Sequence, residues 1–222
     1  SVHLGNLSSE QVEGIVHVNS SVSPNPEFNI LSNIYTDVHK HNFELIIALG
    51  GGSVIDTAKV ISVISGTSSI RSFDLVNELI RDNHKSNYQL LPIIAIPTTA
   101  GTGSEVTKWA TVWDMEEKKK YSLQLPNLWP EQCICDPELT SSLTSGLTTQ
   151  TALDALSHSL ESIWNKNANS ISTLYAINAS KLIVNYLPEV LNAPDKIVFR
   201  EKLMMAALQA GLAFSNTETS IA

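Results

Sequence analysis

"IIALGGGSVIDTAKV", Ile46 to Val60, is the stretch on which the fold turns. The apolar run Ile46–Leu49 meets Gly50, Gly51 and Gly52, then passes into helical periodicity from Ser53. A continuous apolar run closed by a turn reads as a strand buried on both faces of a parallel sheet. Glycines allow the sharp turn and let a ligand approach the backbone. The helix N-terminus beyond them offers unpaired N–H groups and the positive end of the macrodipole, so an anion such as a pyrophosphate is the expected guest. The stretch is not a Walker A loop, because no Gly-Lys-Ser/Thr follows, and Ile55 stands where a full G-x-G-x-x-G would have its third glycine. A tight turn capped by a Ser53/Asp56 pair would explain the glycines without a ligand.

Outward from this stretch, "GIVHVN" (14–19), "ELIIALG" (44–50), "LLPIIAIP" (90–97) and "QCICD" (132–136) read as strands, with helical patterns over 27–42 and 53–65. This alternation predicts an α/β fold with a parallel sheet and right-handed crossovers. Residues 108–125 read as a hairpin whose tip, "DMEEKKK", is a solvated charge run. After "DPELT" the texture changes to three long helical patterns, 145–166, 170–191 and 200–215, without strand signals. Leu153, Leu156, Leu160, Ile163 and Trp164 form one apolar stripe of the first. A boundary near Pro137 gives an α/β domain over 1–137 and an all-helical domain over 138–222.

A chain 43% hydrophobic and 16% charged can bury a core, which excludes a disordered segment. Its net charge of −8 excludes nucleic acid and an anionic membrane surface as partners. No stretch reads as a spanning helix or signal peptide. Cys133 and Cys135 read as buried residues on one face of a strand, not as a disulfide, and free thiols fit a cytoplasmic setting. The chain begins at Ser1 rather than Met, so its ends need not be native ends.

Two further motifs carry chemistry. "IPTTAGTGSEVT", Ile96 to Thr107, is a second strand end running into a loop of small residues, rich in hydroxyls and free amides. Ligands of parallel sheets bind beyond the carboxyl ends of the strands, so two such loops at one edge could hold two parts of a dinucleotide. In "ALDALSHSLESIW", Ala152 to Trp164, Asp154 and His158 lie four residues apart on one helical face. One oxygen and one nitrogen donor suit Fe²⁺ or Zn²⁺, though a solvated pair without metal fits the same spacing. Glu161 lies on the same side, and no histidine follows His158. His3, His17, His39, His41 and His84 all belong to the α/β part.

Taken in order, "ALGGGSVIDTAK", "PTTAGTGSEVT", "DPELT" and "LDALSHSLES" resemble the iron-containing (group III) alcohol dehydrogenases over residues 24–216, with "SPNPEFN" and "AGLAFSN" in keeping. The resemblance implies a dehydroquinate synthase-like architecture: an α/β dinucleotide-binding domain, an all-α domain incomplete here, and a cleft between them for metal and nicotinamide. It implies Gly51, Gly52, Ser53 and Asp56 at the pyrophosphate, Thr98, Thr99, Thr102, Thr107 and Lys120 at the cofactor, and Asp154 and His158 as metal ligands. It also implies two more histidine ligands, the first about where this chain stops, and an earlier strand bearing the acidic residue that chooses NAD over NADP. On this reading the chain is the middle of a longer enzyme, with NAD or NADP and Fe²⁺ (alternatively Zn²⁺) as cofactors. The expected reaction interconverts a small aldehyde and its primary alcohol. "KKYSL", "LDALSHSLESIWN" and "FSNT" look most like phosphonoacetaldehyde reductases. A dehydroquinate synthase-like lyase and a non-catalytic nucleotide-binding fragment are the rival expectations, and a homo-oligomer stays open.

Overall fold

The computed structural model describes residues 17–67, 73–82 and 88–218. In order, they form α1 (Phe28–Val38), β1 (Ile46–Gly50), α2 (Gly52–Gly66), α3 (Phe73–Asp82), β2 (Ile93–Pro97), β3 (Trp109–Asp114), β4 (Lys119–Gln124), β5 (Gln132–Cys133), α4 (Ser145–Trp164), α5 (Ser170–Asn192) and α6 (Ile197–Thr217). Short 3₁₀ turns lie at Ser104–Val106 and Pro137–Thr140. The architecture is therefore a parallel α/β unit followed by helices.

Strands β1, β2 and β5 pair in parallel in the order β1-β2-β5. The register runs from Ile46↔Ile93 to Gly50↔Pro97. Both apolar strands thus end at one level, and their loops leave the same sheet edge. The Thr98 amide, donating to the Gly50 carbonyl at 3.0 Å, ties the two loops where they begin.

Helix α2 covers one sheet face. Ile55 and Ala58 pack on Ala48, Ile93 and Ala95. Its other side joins α1, α3 and the β3–β4 hairpin, where Val60, Val63 and Ile64 meet Leu31, Ile34, Leu79, Ile80, Ala110, Val112 and Leu123. Burying each such aliphatic side chain stabilises by about 1.5–3 kcal/mol.

Burial on both faces is not what the sheet shows. Among the described residues only the α2 side of β1 is closed, and Ile47 on the opposite face is 62% exposed. An apolar run does not report which faces are covered, because that depends on the rest of the chain.

Other boundaries differ for local reasons. No strand forms over 17–19, while 14–16 lie outside the described residues. There the Asn19 side chain accepts from the Ser21 amide at 3.1 Å, a local turn that competes with strand pairing. Helix α1 stops at Val38 rather than 42. The His39 amide closes the last turn on the Tyr35 carbonyl, and its ring Nδ1 lies 3.0 Å from the carbonyls of Tyr35 and Thr36. Strand β5 is only two residues long. Sequence reading overlooked α3, although Leu75, Val76, Leu79 and Ile80 have helical spacing.

The hairpin is as expected, with Trp109↔Gln124 to Asp114↔Lys119 paired antiparallel. Its tip is not simply solvated. Asp114 is buried and ion-paired to Arg81 of α3, which also donates to Glu117 and Tyr121 at 2.9 Å each. The guanidinium lies 5.0 and 5.1 Å from the ring centres of Tyr121 and Phe28.

In α4 the buried face is Thr148, Ala152, Ala155, Ser159 and Ser162. The Leu153, Leu160, Ile163, Trp164 stripe beside it is exposed, Leu153 by 50% and Trp164 by 62%. Small residues win the interior because they let α4 approach Ala179 of α5 and Ala207 and Ala210 of α6 closely. Ser159 and Ser162 are buried without loss, since their hydroxyls donate to the carbonyls of Ala155 and His158.

Candidate functional site

The glycine turn and the threonine loop are in contact. A Cβ on Gly51 would lie 3.2 Å from Thr99 Cγ2, and one on Gly52 would lie 2.6 Å from Thr102 Oγ1. A Cβ on Gly52 would displace Thr102, and one on Gly51 would push Thr99 back by a few tenths of an ångström. Helix α2 starts here with Gly51 as N-cap and no capping side chain, so its first amides have no side-chain acceptor. The Ser53/Asp56 cap anticipated as the ligand-free explanation does not form. Ser53 Oγ instead accepts from the Asn25 amide at 3.1 Å.

Asp56 turns toward the threonine loop. Its Oδ1 accepts from Ser104 Oγ at 2.5 Å and its Oδ2 from the Thr111 amide at 2.9 Å. Burial holds its carboxyl above the ordinary value, against the pull of Lys59, Ser104, Thr111 and Lys120. Thr107 is also buried, its hydroxyl accepting from Lys59 at 3.1 Å. Thr98, Thr99 and Thr102 are partly exposed at the loop surface. Asp56 and Thr107 therefore stand behind the loop, whereas Gly51, Gly52, Thr99 and Thr102 form its front.

The loop is wedged against the helices. Gly103 has φ 63°, and a Cβ there would lie 2.5 Å from the Gly211 Cα of α6. A Cβ on Gly101 would meet Thr151 of α4 at 2.7 Å, and Ser215 Oγ donates to the Val106 carbonyl at 2.9 Å.

Asp154 and His158 lie on α4, with Oδ1 and Nε2 3.6 Å apart. That is near the ~3.4 Å edge of a tetrahedron with ~2.1 Å metal–ligand bonds. The His158 ring stacks on Phe214 of α6 at 4.7 Å and 12°, and Phe214 leans on Trp109 of β3 at 5.1 Å. His158 Nδ1 is buried without a hydrogen-bond partner. A held ring whose Nε2 faces a carboxylate fits an oxygen-plus-nitrogen site for a divalent ion. Among the described residues no third His, Cys, Asp or Glu joins them. Glu161 is bonded instead to Ser157 Oγ at 3.5 Å.

Lys120 is exposed on β4, opposite Trp113. Strand alternation places it on the hairpin face that carries Trp109 and Thr111, the face turned to α6. Cys133 and Cys135 are half-buried free thiols, less enclosed than expected, with Sγ atoms 3.4 Å apart.

Sequence reading missed Lys59. It is fully buried and donates to Ser104 Oγ at 2.9 Å, Thr107 Oγ1 at 3.1 Å and the Trp109 carbonyl at 2.6 Å. Burial pushes its amine down to about 8, against the pull of Asp56 and Glu105. No local signal marked it, because Asp56 and Ser62, three residues on either side, give it an ordinary polar helical face in the sequence.

Residues 5–137 match the family described as iron-containing alcohol dehydrogenase, and residues 148–222 the C-terminal part of the Fe-containing alcohol dehydrogenase family. An NAD-dependent methanol dehydrogenase of Bacillus methanolicus is 36% identical over 81% of this chain and 46% of its own length. A sulfoacetaldehyde reductase of Bifidobacterium kashiwanohense, solved in complex with NAD⁺, superposes with TM-score 0.82 at 34% identity, over 90% of this chain and 52% of that one. An iron-containing alcohol dehydrogenase of Thermotoga maritima superposes with TM-score 0.81 at 32% identity, over 91% and 54%. The chain thus spans about half the length of the relatives it matches.

Proposed function

The chain belongs to the iron-containing alcohol dehydrogenase family, and from that premise we propose that it serves an NAD(P)H-linked, metal-dependent interconversion of a small aldehyde and its primary alcohol. The observation that carries this reading is the contact of Gly51 and Gly52 with Thr99 and Thr102 at an uncapped helix start. In this assignment the Gly51, Gly52 and Ser53 amides take the pyrophosphate, helped by the α2 macrodipole. Thr98, Thr99 and Thr102 flank the cofactor, Asp56 and Thr107 hold the loop from behind, and Lys120 faces the cofactor from the hairpin. Asp154 and His158 hold the ion, with Phe214 fixing the imidazole plane. When bound, Fe²⁺ supplies Lewis acidity toward the substrate oxygen and the nicotinamide supplies or accepts the hydride. The division is an α/β cofactor domain over 1–137 and a helical metal and substrate domain over 138–222.

For the substrate we propose an anionic two-carbon aldehyde, phosphonoacetaldehyde, reduced to 2-hydroxyethylphosphonate. One neighbour is named sulfoacetaldehyde reductase, and that compound carries a sulfonate where phosphonoacetaldehyde carries a phosphonate. The family match favours this redox reading over a dehydroquinate synthase-like lyase.

The test measures Fe²⁺ binding by titration and NADH oxidation with phosphonoacetaldehyde, sulfoacetaldehyde and acetaldehyde, for the chain alone and with the downstream residues of its gene. The chain alone binds Fe²⁺ weakly and does not turn over. The extended protein turns over, prefers the anionic aldehydes, and loses metal and activity together in Asp154→Ala or His158→Ala. Turnover that survives either substitution would overturn the metal assignment, and a preference for acetaldehyde the substrate assignment.

A further inference from the structure

Lys59 lies on α2, two turns beyond the glycine turn, and its three N–H donors are all used. They reach Ser104 Oγ, Thr107 Oγ1 and the Trp109 carbonyl. These acceptors sit in the threonine loop and at the start of β3. Ser104 passes the connection back to α2 by donating to Asp56, whose second oxygen accepts from Thr111. One ammonium thus closes a ring of hydrogen bonds from helix to loop to strand and back to helix.

The ring is costly to build. Lys59 has no exposed surface, Glu105 is 6% exposed, and the Asp56 side chain is only 15% exposed. A buried ion group is often no more stable than apolar residues of similar volume. What the ammonium contributes is geometry, because three fixed donors admit one loop conformation where a methyl group would admit several. On its far side the loop packs on the helices through Ala100, Gly103 against Gly211, Gly101 against Thr151, and Ser215 on Val106.

We propose that Lys59 is a positioning residue for the dinucleotide site: its buried ammonium holds Ser104, Thr107 and Trp109 so that Thr99 and Thr102 sit against Gly51 and Gly52. The assignment of a dinucleotide rests on the proposed function; the positioning of the loop does not. The charged groups facing the ammonium are Asp56 on α2 and Glu105 in the loop, and Lys120 on β4 acts through Asp56. With the amine held near pH 8, the ring is complete below that value. Above it, the neutral amine has two hydrogens for three acceptors, and its attraction to Asp56 and Glu105 is gone.

The experiment is amide hydrogen exchange over residues 98–107 in the free chain, from pH 6.5 to 9.5, with intrinsic rates divided out, beside NADH fluorescence titrations. Lys59→Met exchanges its loop amides on the order of tenfold faster, while β1 and α2 keep their protection and the melting temperature moves little. NADH affinity falls by a similar factor. The wild-type loop loosens as pH passes about 8, and the Lys59→Met loop shows no such step. Thr107→Val, which removes one acceptor of the ammonium and the hydroxyl's own 3.4 Å donation to the Ser104 carbonyl with little change of shape, loosens the loop alone, and Thr107→Ser restores it. This pair decides the matter if Lys59→Met fails to fold. Wild-type loop protection in Lys59→Met, or in Thr107→Val, overturns the proposal, as does a loss spread evenly over β1 and α2. If the loop responds as stated and the wild type binds no NADH, the dinucleotide reading fails and the positioning role stands.

Discussion

Gly103 carries the clearest single-residue demand in the site. Its φ of 63° lies in the left-handed region, and its missing Cβ makes room for the Gly211 Cα. Gly103→Ala is therefore expected to destabilise by about 1–3 kcal/mol, from strain and the clash together. Gly146, with nothing within 4 Å of an added Cβ in the first turn of α4, is the control. There Ala should be neutral or stabilise by up to about 1 kcal/mol. Urea midpoints of the two variants read the contrast directly. At this scale the glycines, the threonines and the Asp154/His158 pair were legible because each belongs to a local pattern. Lys59 was not, because its partners lie 45 to 50 residues away in sequence. The roles of Asp56 and Thr107 behind the loop were hidden for the same reason.

Helix α4 shows what periodicity can and cannot convey at the scale of an element. Two stripes run side by side, 148-152-155-159-162 and 153-156-160-163, both with helical spacing. Hydrophobicity selects the second, yet the structure buries the first. Close helix contact is limited by side-chain size, and Ala and Ser permit it where Leu does not. Ala155→Leu should thus destabilise by about 1–3 kcal/mol through overpacking, and Leu153→Ala by less than about 1 kcal/mol in this chain, since Leu153 is half exposed. Denaturant unfolding followed by circular dichroism checks the order, and equal effects would contradict this assignment of faces. The strands β1 and β2 were legible for the opposite reason: a short apolar run closed by glycine or proline has few other uses, and their parallel pairing follows from the helix between them.

Across the whole molecule, the site depends on contacts between elements far apart in the chain. Trp109, Phe214 and His158 form a run of aromatic contacts from the hairpin to α4, Phe214 stacked on His158 and tilted against Trp109. Gly103 on Gly211 joins the threonine loop to α6. The buried ring around Lys59 also gives the molecule a pH signature. A lysine whose folded value, about 8, lies below its free value of 10.5 costs stability while charged. That cost is full below pH 8 and is relieved between 8 and 10.5. Any stability advantage of Lys59→Met should therefore shrink between pH 7.5 and 9.5 as the loop of the wild type loosens. A constant difference would show that Lys59 does not titrate there. The central claim is that the Gly50–Gly52 turn and the threonine loop form one dinucleotide site, separate from the Asp154/His158 pair. Calorimetric titration of NADH into the wild-type chain, Gly51→Val and Asp154→Ala tests it most directly. The account predicts saturable binding to the wild type, its loss in Gly51→Val, and its retention in Asp154→Ala. Equal binding to Gly51→Val and wild type, or no binding to the wild type at all, would contradict it.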